Sequence, residues 1–246
     1  MTRMPTLIAL HEGKTESVAR SLIEIIETGS FMEGERLPSE KELSTQFGVA
    51  PVTLREALSI LRMQGIIETR RGRSGGSFVC VRPATSYEEL RTRLRTMRQL
   101  NFYEYIDEHI AISGAAAELA ALGGDSDQHR RLDRLIADLG TARGFREMRH
   151  LDARFHIEVA GRSIRLRRHE ARLQAENGEL IWLPYMSSID VYAMQMEHRE
   201  ILDAIVAREV NLAGALARQH LSKEIGRLLA LKLEEVKEDD ARGIPL

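Results

Sequence analysis

Residues 36–58 read Arg36-Leu37-Pro38-Ser39-Glu40-Lys41-Glu42-Leu43-Ser44-Thr45-Gln46-Phe47-Gly48-Val49-Ala50-Pro51-Val52-Thr53-Leu54-Arg55-Glu56-Ala57-Leu58. Ser39 is a good N-cap, and Glu42 three positions on completes a Ser-x-x-Glu capping box, so a helix starts near Glu40. Leu43 and Phe47 share one face of that helix, and Gly48 supplies the left-handed residue that commonly ends one. Pro51 fits the first turn of a second helix, where its missing N–H costs nothing. Leu54, Leu58 and Leu61 then recur at helical spacing up to Gly65. Two helices joined this closely form the helix-turn-helix pattern, whose second helix lies in the major groove and offers its N-terminal residues to base edges. Thr53 and Arg55 are the exposed candidates for that contact.

Downstream, Gly65-Ile66-Ile67-Glu68-Thr69-Arg70 is apolar and β-branched at its start, Arg71-Gly72-Arg73-Ser74-Gly75-Gly76 is turn chemistry, and Ser77-Phe78-Val79-Cys80-Val81 is a second strand. This predicts a two-stranded wing. From Arg62 to Arg82 five arginines stand against one acid, Glu68, so positive charge gathers where a phosphate backbone would lie. Upstream, Val18, Ala19, Leu22, Ile23, Ile25 and Ile26 form the apolar stripe of a helix that starts at Thr15 and is stopped by Gly29; residues 1–13 read as loose.

The chain of 246 residues, 43% of them hydrophobic, can bury a proper core in one or two domains. Its 35 basic and 37 acidic residues nearly balance, so the case for a polyanionic partner rests on local clustering. A lone cysteine, Cys80, excludes an internal disulfide and reads as a small buried strand residue in a reducing cytoplasm. There is no 18-residue apolar run and no signal-peptide pattern, so a soluble cytoplasmic protein without a membrane role is expected. Arg82-Pro83-Ala84-Thr85-Ser86 reads as a linker that ends in a capping residue for the next helix. The expected domains are a winged helix-turn-helix over 1–82, a linker over 83–86 and an all-helical domain over 87–246, giving a mainly α fold. Helices are expected at 87–98, 101–122, 126–139, 144–160, 164–176, 188–208 and 210–236, with an alanine-rich face on the second and the strip Leu90, Leu94, Met97 in the core.

The first 80 or so residues closely resemble the N-terminal domain of the GntR family of bacterial transcription regulators. The family's pattern is an R-L-P-S-E-x-x-L helix, a G-V-S-R turn, a T-V-R-E-A-L recognition helix, then G-L-I and a G-x-G-x-F-V wing. The resemblance implies that Lys41 touches phosphate, that Thr53 and Arg55 work at the tip of the recognition helix, and that Arg71, Gly72 and Arg73 reach the minor groove. Ala50-Pro51 stands where the family usually has Ser-Arg or Thr-Arg, which removes a base-reading arginine and implies a shifted operator preference.

In the helical part, Asp152 and His156 are i and i+4, on one face of a helix, while His198 and His220 lie on the last two helices, which an antiparallel packing could bring level. Three imidazoles and a carboxylate suit Zn, Ni, Mn or Fe. By spacing alone the same residues could equally pair with one another or face solvent. The order of these motifs behind the winged domain resembles the FCD-type effector domain of the FadR-like subfamily, which implies a divalent metal on Asp152, His156, His198 and His220. His109 stands where that subfamily often carries an effector-gripping arginine, so it is the candidate effector contact, or it fills space. Ser163 matches a family serine; the run Arg162-Ser163-Ile164-Arg165-Leu166-Arg167-Arg168 reads as a solvated face or else a site for an anionic ligand such as an acyl-CoA. His11, His129, His150 and His169 are expected to have no special role.

The reading is a ligand-responsive, homodimeric repressor of metabolic genes that binds a double-stranded DNA operator and senses a small organic acid or related metabolite in a metal-containing pocket. Its rivals are a metal-dependent hydrolase with a DNA-binding appendage, and a constitutive DNA-binding dimer without effector.

Overall fold

The structure, a computed structural model, describes residues 13–27, 31, 33–72, 75–80, 86–186 and 190–242, the last eight by their backbone only. The chain divides into two compact units, Met1–Pro83 and Ala84–Leu246.

In the first unit, helices α1 (Lys14–Glu27), α2 (Glu40–Phe47) and α3 (Pro51–Met63) precede strands β1 (Ile67–Arg70) and β2 (Gly76–Val79). The capping box forms as read: Ser39 N–H donates to Glu42 Oε2 at 2.8 Å, and Glu42 N–H to Ser39 Oγ at 3.3 Å. Gly48 closes α2 at φ +64°, a left-handed conformation in which a side chain would be strained. The apolar stripe of α1 (Val18, Leu22, Ile25) meets Leu43 of α2, Leu54, Leu58 and Leu61 of α3, and Ile67 and Val79 of the hairpin in one core. The strands pair antiparallel, with Ile67 opposite Val79 and Arg70 opposite Gly76. Residues 34–37, with no strand expected there, add a further backbone segment beside β2: Leu37 N–H donates to Ser77 O at 2.9 Å and Val79 N–H to Glu35 O at 2.9 Å. So short a stretch, polar and ended by Pro38, carries no alternation from which a strand could be read. Cys80 lies just past β2 and is only partly buried, against the expectation of a core position.

The second unit is all helical: α4 (Tyr87–Thr96), α5 (Gln99–Gly123), α6 (Ser126–Thr141), α7 (Phe145–Val159), α8 (Ile164–Ile181), α9 (Val191–Val206) and α10 (Val210–Arg242), with short 3-10 turns at Ala160–Arg162 and Leu183–Met186. Ser86 and Glu89 build a second capping box that starts α4. Leu90 and Leu94 are core residues as expected. α8 runs five residues past the expected break, because Gly178 sits inside it and is tolerated where Gln174 packs close. α5 and α10 lie side by side, and Ala116, Ala117, Ala120 and Ala121 share a buried cluster with Ala213 and Ala217, small side chains that let two backbones approach. Among the described residues no helix is long and apolar enough to cross a membrane.

Candidate functional site

α7 presents Asp152 and His156 one turn apart, α9 contributes His198 and α10 His220. One ligand atom from each lies within 4.8 Å of the other three. The four residues are 2%, 6%, 0% and 2% exposed, so water cannot satisfy them from outside. Asp152 Oδ1 and the Nε2 atoms of His156, His198 and His220 are all buried without a hydrogen-bond partner. Buried polar atoms are nearly always paired. Four orphans converging on one point, one carboxylate oxygen and three imidazole nitrogens, are the donor set of a divalent cation, and the residues fit one.

The outer atoms of these side chains are held. Trp182 Nε1–H donates to Asp152 Oδ2 at 2.9 Å, which leaves Oδ1 facing the histidines. His220 Nδ1 lies 2.6 Å from Glu197 Oε2, and Lys223 Nζ donates to Glu197 Oε1 at 2.7 Å. The Phe155 ring stacks on His198, centroids 4.0 Å apart. Such outer partners fix ring orientation and choose which nitrogen faces inward.

Protonation follows the burial. Burial alone would raise the Asp152 carboxyl, but the imidazoles of His156 and His198 beside it outweigh this and hold it well below its usual range. Burial presses His156 down, and the Asp152 carboxylate more than reverses that, to about 9. His198, where burial dominates, falls to about 4. The hydrogen bond with His220, despite partial burial, brings Glu197 down to about 2. Burial raises Glu224, whose Oε1 lies 3.9 Å from His220 Nε2.

A second buried polar group involves α5 and α8. His109 Nε2 lies 3.1 Å from Glu170 Oε1 and its Nδ1 3.0 Å from the Tyr105 hydroxyl, while Gln174 Nε2 donates to Glu170 Oε1 at 3.0 Å. His109 is thus an internally paired core residue in this state. Reading the sequence missed Glu170 and Gln174; their i, i+4 spacing was the available signal, hidden among charged neighbours. Beside the His220 end of the four-residue cluster opens a cavity of about 280 Å³, lined by Tyr185, Asp190, Met194, Glu197, Glu224 and Arg227 among others.

The arginine-rich start of α8 is mostly surface: Arg167 pairs with Glu158 and Arg162 reaches Leu119 O, while Ser163 caps α8 by accepting from Leu166 N–H at 3.4 Å. His150, expected to be inert, is half-buried, and burial with neighbouring arginines lowers it to about 4. His169 is exposed beside Glu108, and His11 lies outside the described residues.

In the first unit, Lys41, Arg55 and Arg71 are exposed, Thr53 is half-exposed, and Gly72 takes φ +108° in the hairpin turn. Arg73 lies outside the described residues. Arg55 is not idle in the free protein: its Nε donates to Glu40 Oε2 at 2.8 Å. Arg70 pairs with Glu68 at 2.6 Å and lies over the Phe78 ring, so it is partly spent on holding the hairpin.

Comparison with known proteins agrees with both units. Residues 14–79 match the family described as "Bacterial regulatory proteins, gntR family", and residues 104–223 match the FCD domain. An HTH-type transcriptional regulator of Mycobacterium gastri, RmpR, is 35% identical over 224 residues, covering 89% of this chain and 82% of its own. The Glc operon transcriptional activator of Escherichia coli is 27% identical over 244 residues, covering 89% of this chain and 90% of its own. A solved GntR-family regulator from Pseudomonas syringae pv. tomato, 18% identical, covers 94% of this chain and 88% of its own with a TM-score of 0.48. With both halves of the architecture matched in order, the chain belongs to the GntR family, in its FCD-domain branch, and is a DNA-binding transcription regulator rather than an enzyme.

Proposed function

We propose that the chain acts as a homodimeric, ligand-responsive repressor of metabolic genes, with residues 1–82 binding DNA, 83–86 as linker and 87–246 sensing the effector and dimerising. Two copies place two recognition helices on a pseudo-palindromic operator, since a two-fold protein favours a two-fold site. Lys41 contributes phosphate contact, Thr53 and Arg55 base contact, and Arg71, Gly72 and Arg73 minor-groove contact. The exposure of Arg55 and Thr53 at the start of α3 supports that assignment.

The observation that carries the sensing half is the convergence of four unpartnered, buried donors from three helices. Asp152, His156, His198 and His220 would hold Zn, Ni, Mn or Fe, and the cation would offer coordination to an oxygen of a small organic metabolite. The residues themselves do the rest. Trp182 and Glu197 orient two of the ligands, and the surrounding core excludes bulk water. A metabolite shifts operator affinity only by its differential affinity for the two arrangements of the dimer.

The test is metal content and operator affinity measured on the same preparation. The reading expects His198→Ala to lose bound metal and a metabolite screen to find a compound that changes operator affinity in the unmutated protein and not in the variant. Equal metal content in both proteins would reject the metal pocket. Operator affinity indifferent to every metabolite and to chelator would favour a constitutive dimer.

A further inference from the structure

Resting on the metal-pocket reading above, we propose that the sensed molecule presents a hydrogen-bond donor, a hydroxyl or an ammonium group, to Glu170 while a carboxylate oxygen of the same molecule reaches the metal-type cluster. The ligand class is then a small hydroxy or amino acid, not a dicarboxylate.

Glu170 is 1% exposed, and its two oxygens are treated differently. Oε1 is shared by His109 and Gln174, whereas Oε2 is buried with no partner. A buried carboxylate oxygen left without a donor is costly, so its persistence calls for a group that arrives with the ligand. Glu170 is on α8, which packs against both α5 and α7, and the Glu170 carboxylate and the His156 imidazole each act on the other's protonation. The orphan oxygen therefore belongs to the surroundings of the four-donor cluster. Those surroundings are acidic elsewhere too. Glu224 is buried near His220, and the adjoining cavity carries Asp190, Glu197 and Glu224 against Arg227, whose guanidinium is engaged with the Tyr185 hydroxyl. A second carboxylate on the ligand would meet like charge there; a donor would complete Glu170. A water molecule on Oε2 is the bland rival, and it leaves ligand choice indifferent to Glu170.

The experiment titrates the full-length, zinc-loaded protein by calorimetry with three acids of equal length: 3-hydroxypropanoate, β-alanine and malonate. Expected is binding of at least one of the first two roughly tenfold or more tighter than malonate, the effect of satisfying rather than opposing a buried acceptor. Glu170→Gln, which keeps the shape and removes the charge, should shrink that gap several-fold. Malonate binding as tightly as the others, no binding by any of the three, or an unchanged ranking in folded Glu170→Gln would overturn the proposal. Should Glu170→Gln fail to fold, the ranking in the unmutated protein decides alone. Zinc content of the same samples separates the two readings: absence of bound zinc sinks the metal pocket, whereas full loading without donor preference sinks only the ligand assignment.

Discussion

Trp182 of the α8 C-terminus donates its indole N–H to Asp152 Oδ2 at 2.9 Å, and so turns the other carboxylate oxygen toward three histidines. Both side chains are almost fully buried, which makes the indole a fixed part of the carboxylate's geometry. Removing such an outer partner typically weakens metal affinity by about 10–100-fold. Trp182→Phe should do so, as read by competition with a chelator of known affinity on the folded variant. Glu197→Gln, on the His220 side, should act in the same direction with less damage to the core. Affinity unchanged in both would mean the four inner donors position themselves.

Arg55 and Glu40 predict a paired result on DNA. Arg55→Ala should weaken cognate operator binding by roughly 1–3 kcal/mol and relax discrimination. Glu40→Gln frees Arg55 from its 2.8 Å ion pair and removes a negative charge from the same surface, so it should strengthen binding to cognate and non-cognate duplexes alike. Fluorescence anisotropy at fixed salt measures both, and weaker binding by Glu40→Gln would show that the pair positions Arg55 for DNA.

His150 predicts a pH dependence. In the unfolded chain it titrates near 6.5, and in the folded protein burial lowers it to about 4. Between those values the unfolded state binds more protons, so this residue's contribution makes stability fall as pH falls from about 6.5 to about 4. Urea midpoints across that window should fall less steeply in His150→Asn than in the unmutated protein. Parallel slopes would contradict the assignment.

Lys232 of α10 ties down the end of α4: its buried Nζ donates to Leu94 O at 2.7 Å and Met97 O at 2.9 Å. Lys232→Met keeps the apolar stem but leaves two carbonyls without their donor, at a cost of about 1–3 kcal/mol in urea unfolding. Hydrogen exchange should quicken around residues 94–98 before it does elsewhere. Uniform exchange would place the loss in the whole bundle instead.

Most of the first unit was legible because its signals are local. Ser39 with Glu42, Gly48 and Pro51 each act within a few residues, and the structure carries each of them as read. The backbone segment 34–37 escaped because its partner strand lies some forty residues on and its own side chains show no period. In the helical unit, the same kind of local reading overestimated Gly178 as a break, since packing around Gln174 overrode a weak propensity.

The order of residues by itself determined where helices begin, which residues face inward, and that an aspartate and a histidine stand one turn apart on α7. Those features depend on hydrogen bonds and periodicity along one stretch of chain. Only the packing of α5, α7, α8, α9 and α10 decided that His198 and His220 meet Asp152 and His156, and that Glu170 faces His109 across 61 residues with one oxygen unsatisfied. The physical reason is that the rotation of one helix against another is set by the sum of many apolar contacts, which no single stretch of sequence contains.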